Sequence, residues 1–176
     1  QEALFRIANI RFLYLNHFHQ AIDALTKLVS LTDKPEVKWD AYKTIAEISY
    51  SKIENFELAI ETYLKLLEID PSTKERSFIL SRLARCYYGK LDFKNTILTY
   101  EQIIKEFPKT QLAIEAYYEI GNAYFTAGDL DQSIKAYKRV IEVFPNTDQA
   151  VFSEFGIGAS YEEKEMFDEA LSHFEK

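Results

Sequence analysis

Cysteine is almost missing from this 176-residue chain, with Cys86 its single representative. One thiol cannot close an intrachain disulfide or build a cysteine-based zinc cluster, although it leaves the cellular compartment open. Glycine and proline are also scarce, at 5 and 4 residues, too few for an all-β chain that needs many tight turns. Positive charge is in deficit: 21 Lys and Arg against 28 Asp and Glu leave a net charge of −7. A phosphate backbone demands a basic face, so this balance argues against general nucleic-acid binding. No apolar run approaches the ~18 residues of a membrane span, and the chain does not start with a basic-then-apolar leader. Membrane insertion by this segment is therefore not expected. The sequence opens at Gln1 inside one helical pattern and stops at Lys176 inside another. It reads as part of a longer array, so the missing leader says nothing about location.

The chemistry-bearing motifs are missing as well. There is no glycine-rich nucleotide loop, no GxSxG and no HExxH. His17 and His19 lie two apart at a helix start, where their rings diverge, and no third ligand lies nearby in sequence. They read as a solvated turn. Cys86 falls among crowded helix positions and reads as a buried, inert thiol. The adjacent pairs Glu162-Glu163 and Asp168-Glu169 do not converge on a helix and read as solvated faces. Trp39 is placed just before the second unit's first helix, packing or capping a joint. No catalytic residue, metal or cofactor is expected, and the chain reads as a non-enzyme.

What is present is repetition. A small residue recurs at intervals of 38, 37, 37 and 37 residues: Ala21, Ala59, Thr96, Ser133 and Ala170. A large apolar residue stands three places earlier each time: Phe18, Phe56, Phe93, Leu130 and Phe167. Four places later come Leu25, Tyr63, Tyr100, Tyr137 and Phe174, and Pro71, Pro108 and Pro145 follow the three middle anchors. Such a period marks an array of supersecondary units, each unable to bury its apolar face alone. Most of the twelve Tyr and thirteen Phe thereby become packing residues. An array offers an extended surface rather than a deep pocket, which favours binding over catalysis.

Each unit reads as two antiparallel helices. In the fourth, Ile114, Tyr117, Ile120, Gly121 and Tyr124 keep helical spacing. Ala127-Gly128-Asp129 breaks it, with Gly128 closing one helix in a left-handed conformation and Asp129 capping the next. Leu130, Ile134, Tyr137, Val140 and Ile141 resume the pattern until Phe144-Pro145 stops it. Asn16, Asn55 and Asp92 mark the other internal turns. The first helices carry their own small residues, Ala8, Ala46, Ala84, Gly121 and Gly158. These sit 13 residues before the second anchor in the first two units and 12 in the others, which implies one extra residue in the first two internal turns. Small facing large lets two helix backbones approach while a ring fills the gap beside them.

These offsets resemble the tetratricopeptide repeat across essentially the whole chain. The resemblance implies an all-α, right-handed superhelical solenoid of antiparallel helix pairs. About five repeats would span a single array over 1–176, at about 1–35, 36–73, 74–110, 111–147 and a truncated 148–176. The spacing exceeds the usual ~34 residues, and the joints read Asp70-Pro71-Ser72-Thr73, Phe107-Pro108-Lys109-Thr110 and Phe144-Pro145-Asn146-Thr147. Longer repeats with such joints look like those of bacterial cell-envelope proteins, which implies a periplasmic or envelope setting.

In that family the first helices line a concave groove. Transferred here, the lining includes Lys43, Glu47 and Tyr50 from the second repeat, and Phe78, Ser81, Arg82 and Arg85 from the third. The fourth adds Tyr118, Glu119, Asn122 and Phe125. Lys43, Glu47, Tyr50, Arg82, Arg85, Tyr118 and Asn122 are the expected partner-binding residues. The cation-and-asparagine clamp of chaperone-binding members is absent, because Glu47, Ser81, Glu115 and Glu119 stand where it wants Asn or cations. Residues 74–94 are mainly basic and 148–169 mainly acidic, a polarity able to steer an oppositely charged partner. The expected role is a scaffold that binds another protein or a peptide segment. The alternatives are an envelope assembly or motility factor of lipoprotein type, or a docking array of a larger enzyme. Arg82 and Arg85, three apart, are expected to share one stretch of groove and either pair with Glu47 and Glu119 or receive a partner's carboxylate.

Overall fold

The turns between helices show why the pattern repeats. In a computed structural model describing residues 2–69 and 72–175, a residue with positive φ stands two places before every second helix. These are Asn16 (55°), Glu54 (51°), Leu91 (58°), Gly128 (78°) and Glu165 (59°). The expected left-handed Gly128 is confirmed, and its counterparts reach the same conformation without glycine. The next residue is the N-cap. Asn55, Asp92 and Asp129 accept the amide N–H of Leu58, Asn95 and Gln132 at 3.1, 3.2 and 3.2 Å. His17 and Met166 occupy the same place without a side-chain cap.

Among the described residues these turns and caps delimit ten helices and no strand. In chain order they are α1 Glu2–Leu13, α2 Phe18–Ser30, α3 Pro35–Ser51, α4 Phe56–Glu68 and α5 Thr73–Gly89, followed by α6 Phe93–Glu106, α7 Gln111–Thr126, α8 Leu130–Val143, α9 Asp148–Glu163 and α10 Phe167–Phe174. The internal turns after α1 and α3 are one residue longer than those after α5, α7 and α9, as the anchor spacing required. Trp39 needs correction. Pro35 serves as the first residue of α3, where its fixed φ suits a helix and its missing N–H costs nothing, so Trp39 lies within the helix and not before it.

The Phe-Pro-x-Thr joints have a use that the motif alone did not disclose. Thr110 Oγ1 donates to the Phe107 carbonyl at 2.8 Å and accepts from Ala113 N at 3.3 Å. Thr147 does the same with Phe144 and Ala150 at 2.8 and 3.2 Å. One hydroxyl thus satisfies the end of one helix and the start of the next. Asp70-Pro71 and the side chain of Lys74 lie outside the described residues.

The chain divides into two compact units, Gln1–Lys90 and Leu91–Lys176. In the first, α1 to α5 pack in succession. One core joins Ala8, Leu25, Leu28, Ala41, Ile45 and Ile48, and a second joins Ala46, Ala59, Tyr63, Leu66, Ile79, Leu83 and Cys86. Lys90 Nζ meets Glu57 Oε1 at 2.5 Å across α4 and the end of α5.

In the second unit, α6 to α10 pack in succession and α7 also touches α9. Its centre is Tyr137, which is buried and donates its hydroxyl to Asn122 Oδ1 at 2.6 Å. The ring lies between two glycines. A Cβ at Gly121 would come within 2.5 Å of one ring edge, and a Cβ at Gly156 within 2.5 Å of the other. The expected pairing of small residue and ring therefore holds for Gly121, with Gly156 as a second, unforeseen partner. Lys164 Nζ meets Asp131 Oδ1 at 2.5 Å, thirty-three residues apart like Lys90 and Glu57. These exposed pairs tie neighbouring repeats and add little stability individually.

Candidate functional site

Three helices of the first unit, α3, α4 and α5, enclose a cleft of about 600 Å³. From α3 come Trp39, Lys43, Glu47, Tyr50 and Ser51, one helical face at three- and four-residue steps. Tyr63 and Leu66 of α4 and Ile79 of α5 form an apolar floor, while Ser72, Glu75, Phe78 and Arg82 supply the opposite wall. Lys43, Glu47, Tyr50 and Arg82, expected on the resemblance to line a groove, are therefore brought together.

The electrostatics are uneven. Arg82 stacks its guanidinium carbon 4.9 Å from the Tyr50 ring centre and 5.1 Å from that of Phe78. The cation thus lies over the faces of both rings. No ion pair joins Arg82 to Glu47 among the described residues, so of the two outcomes posed above, pairing with Glu47 is not the one adopted. Ser72, the N-cap of α5, accepts from Glu75 N at 3.4 Å and donates to Glu75 Oε2 at 3.0 Å. This reciprocal capping occupies Glu75. Burial raises the Tyr63 phenol well above its usual pKa, so it stays a neutral hydroxyl. Burial also pushes the Cys86 thiol up to about 12, in keeping with the inert reading of that residue.

Arg85 is exposed and does not line the cleft. Tyr118 and Asn122 belong to the second unit and serve its packing. The Tyr118 ring lies 5.7 Å from that of Tyr137 and 6.2 Å from that of Phe152. Asn122 accepts the Tyr137 hydroxyl and donates to Glu119 Oε2 at 2.9 Å. His17 and His19 are exposed, as a solvated turn requires. Trp39, Tyr63 and Leu66 were not anticipated at the site. Trp39 was missed through the helix start, whereas Tyr63 had been read only as a packing residue of the second helix.

A set of antiparallel helix pairs with a ring-lined cleft between successive repeats defines a helical-repeat interaction scaffold. Tetratricopeptide repeat models match residues 2–31, 46–73, 80–110 and 114–147, and the chain belongs to that family. Solved structures agree on the fold. The MamA protein superposes with a TM-score of 0.67 at 23% identity, covering 99% of this chain and 87% of its own. YrrB, described as a TPR protein with an unusual peptide-binding site, gives 0.65 at 18% identity, with coverages of 98% and 81%. A MamA segment from Desulfovibrio magneticus RS-1 gives 0.63 at 18%, with 98% and 90%. No curated protein matches the chain.

Proposed function

We propose that this chain is a non-catalytic scaffold that holds a segment of a partner protein in the cleft between α3, α4 and α5. The observation that carries this reading is the cleft itself. It combines an apolar floor, a wall of rings and charged side chains at the rim, the composition of sites that fix a ligand by burial and orient it by a few polar groups. The volume of about 600 Å³ suits side chains of an extended segment better than a folded domain. Support also comes from YrrB, whose description names a peptide-binding site.

The test is affinity capture from cells of the source organism with three baits: the unaltered chain, Phe78→Asp and Lys138→Ala. A partner of the cleft is retained by the first and third and lost from the second, with helicity unchanged in all three. A partner captured equally by Phe78→Asp uses another surface. For setting, we propose the bacterial periplasm or cell envelope, as the Phe-Pro-x-Thr joints imply, with envelope assembly as the corresponding process. A lipoprotein signal in the full reading frame would support it, and an appended catalytic domain would favour the docking-array alternative.

A further inference from the structure

The second unit carries a surface of a different kind, a row of exposed rings on its two first helices, α7 and α9. Val151, Phe152 and Phe155 share one face of α9 at three- and four-residue steps and are 56, 52 and 54% exposed. Tyr118 of α7 continues the row, its ring 6.2 Å from that of Phe152, and Phe174 of α10 lies 6.4 Å from Phe155. Single exposed apolar residues are ordinary, but a contiguous row of them marks an interaction site. Stacking of the repeats does not demand these rings. Lys43 and Ser81 stand at the register of Phe155 in the first unit, and Asp40 and Glu115 stand at that of Phe152.

The charge around the row has one sign. Helices α7 and α9 hold two and four acids and no lysine or arginine, whereas α3 and α5 of the first unit hold two and four cations. Part of this acidity is used internally. Glu119 takes the Asn122 amide at 2.9 Å, Glu154 meets His173 at 2.6 Å, and Asp148 suits the first turn of α9. Glu115 and Glu162 have no ion pair among the described residues. Glu115 lies at the register of Phe152 on the neighbouring helix, and Glu162 lies two turns beyond Phe155 on the same face of α9. Such a surface repels polyanions and attracts a cation that arrives with apolar groups to bury.

We infer that the ring row of α7 and α9 docks a basic segment of another protein, one that sets lysines or arginines beside large apolar side chains. The apolar side chains of that segment cover Phe152 and Phe155. Its cations meet Glu115 and Glu162 at the edges, where opposite charge selects the partner and speeds its approach.

The test is fluorescence anisotropy with three labelled synthetic peptides of equal length, all blocked at both ends. One alternates leucine with lysine, the second replaces every lysine by glutamate, and the third replaces every leucine by serine. The lysine–leucine peptide should bind the chain roughly tenfold or more tighter than either of the others. Added salt should narrow its lead over the glutamate peptide but not its lead over the serine peptide. Phe155→Ser and Phe152→Asp should each remove most of the affinity. Both positions are exposed and carry polar residues at the same register elsewhere, and far-UV dichroism checks that the variants fold. Glu115→Gln combined with Glu162→Gln should weaken binding several-fold at low salt. Phe78→Asp, in the cleft of the first unit, should leave it unchanged. The inference is overturned if the glutamate or serine peptide binds as well as the lysine–leucine peptide. Binding that survives both Phe155→Ser and Phe152→Asp, or that Phe78→Asp abolishes, places the peptide elsewhere and also overturns it. Self-association of the unaltered chain in sedimentation, lost with Phe155→Ser, would assign the row to a second copy instead.

Discussion

Gly156→Ala has a sign that only the packing decides. In a helix interior, replacing glycine by alanine ordinarily stabilises by ~1 kcal/mol. Here the new Cβ would sit 2.5 Å from Tyr137 Cε2 and 2.6 Å from Cζ. The ring cannot retreat, because Gly121 lies against its opposite edge at an equally close approach and Asn122 holds its hydroxyl at 2.6 Å. Overpacking of this kind costs ~1–3 kcal/mol, so the clash outweighs the helix gain and the variant is expected to be less stable. Removing the ring reverses the outcome. Tyr137→Ala alone should cost ~3–5 kcal/mol, but in its background Gly156→Ala regains the ordinary ~1 kcal/mol. The double-mutant cycle should therefore show coupling of ~1–3 kcal/mol. Lys138→Ala, one residue along α8 and exposed, should stay within ~0.5 kcal/mol of the unaltered protein. Amide exchange in α7 to α9 under increasing urea measures the second unit by itself. If Gly156→Ala stabilises by the same amount with and without the Tyr137 ring, the wedge described here does not exist.

Three further outcomes follow from single positions. Leu91→Gly should stabilise by ~0.5–1 kcal/mol, since φ is 58° and the side chain is 66% exposed, whereas Gly128→Ala, at φ 78° in open space, should lose ~1 kcal/mol; thermal melts showing the same sign for both would contradict the backbone account. Thr147→Val removes a cap and a turn bond together and should cost ~1–2 kcal/mol, lowering the melting temperature, while Asn146→Ala at the same joint serves as the neutral control. Cys86 should resist thiol reagents at neutral pH until the first unit unfolds. Burial holds its folded pKa at about 12, above the ordinary thiol value of 9.0, so between those values the unfolded chain binds fewer protons and stability should fall as pH rises above ~9; Cys86→Ala should remove that part of the alkaline loss.

The features legible in the sequence were those that sterics impose on every repeat. A small residue against a ring and a chain-reversing turn recur at one register in the repeats, joined by a polar side-chain cap at Asn55, Asp92 and Asp129 but not at His17 or Met166, so five imperfect copies exposed them. The length of each internal turn followed from the same register. What occurs once could not be read that way. Gly156 has no glycine or alanine counterpart in the preceding repeats, where Arg6, Thr44, Arg82 and Glu119 stand at its register, so periodicity gave no reason to notice it. The threonines of the Phe-Pro-x-Thr joints were visible as a motif, but their paired hydrogen bonds depend on a chain path that spacing does not specify. Trp39 was misplaced because Pro35 was not read as a helix opener.

The candidate site shows the same limit more sharply, because groove and core occupy equivalent positions in this array. By repeat register, Lys43, Glu47, Tyr63, Phe78 and Arg82 of the first unit correspond to Tyr118, Asn122, Tyr137, Phe152 and Gly156 of the second. In the second unit those places are filled from within. Tyr118 stacks its ring near both Tyr137 and Phe152, Asn122 takes the Tyr137 hydroxyl, and Gly156 makes room for the ring. In the first unit Lys43 replaces the Tyr118 ring, and Arg82 stands where glycine would let Tyr63 advance, its charge drawn to Tyr50 and Phe78 instead. A cleft of about 600 Å³ remains between them. Long charged side chains keep their heads at the rim and leave apolar surface beneath, whereas rings at the same positions close over it. Whether a repeat presents a site is thus set by which residues occupy a shared scaffold position, and in this chain the first unit holds its cleft open with cations while the second closes the equivalent space with its own tyrosines.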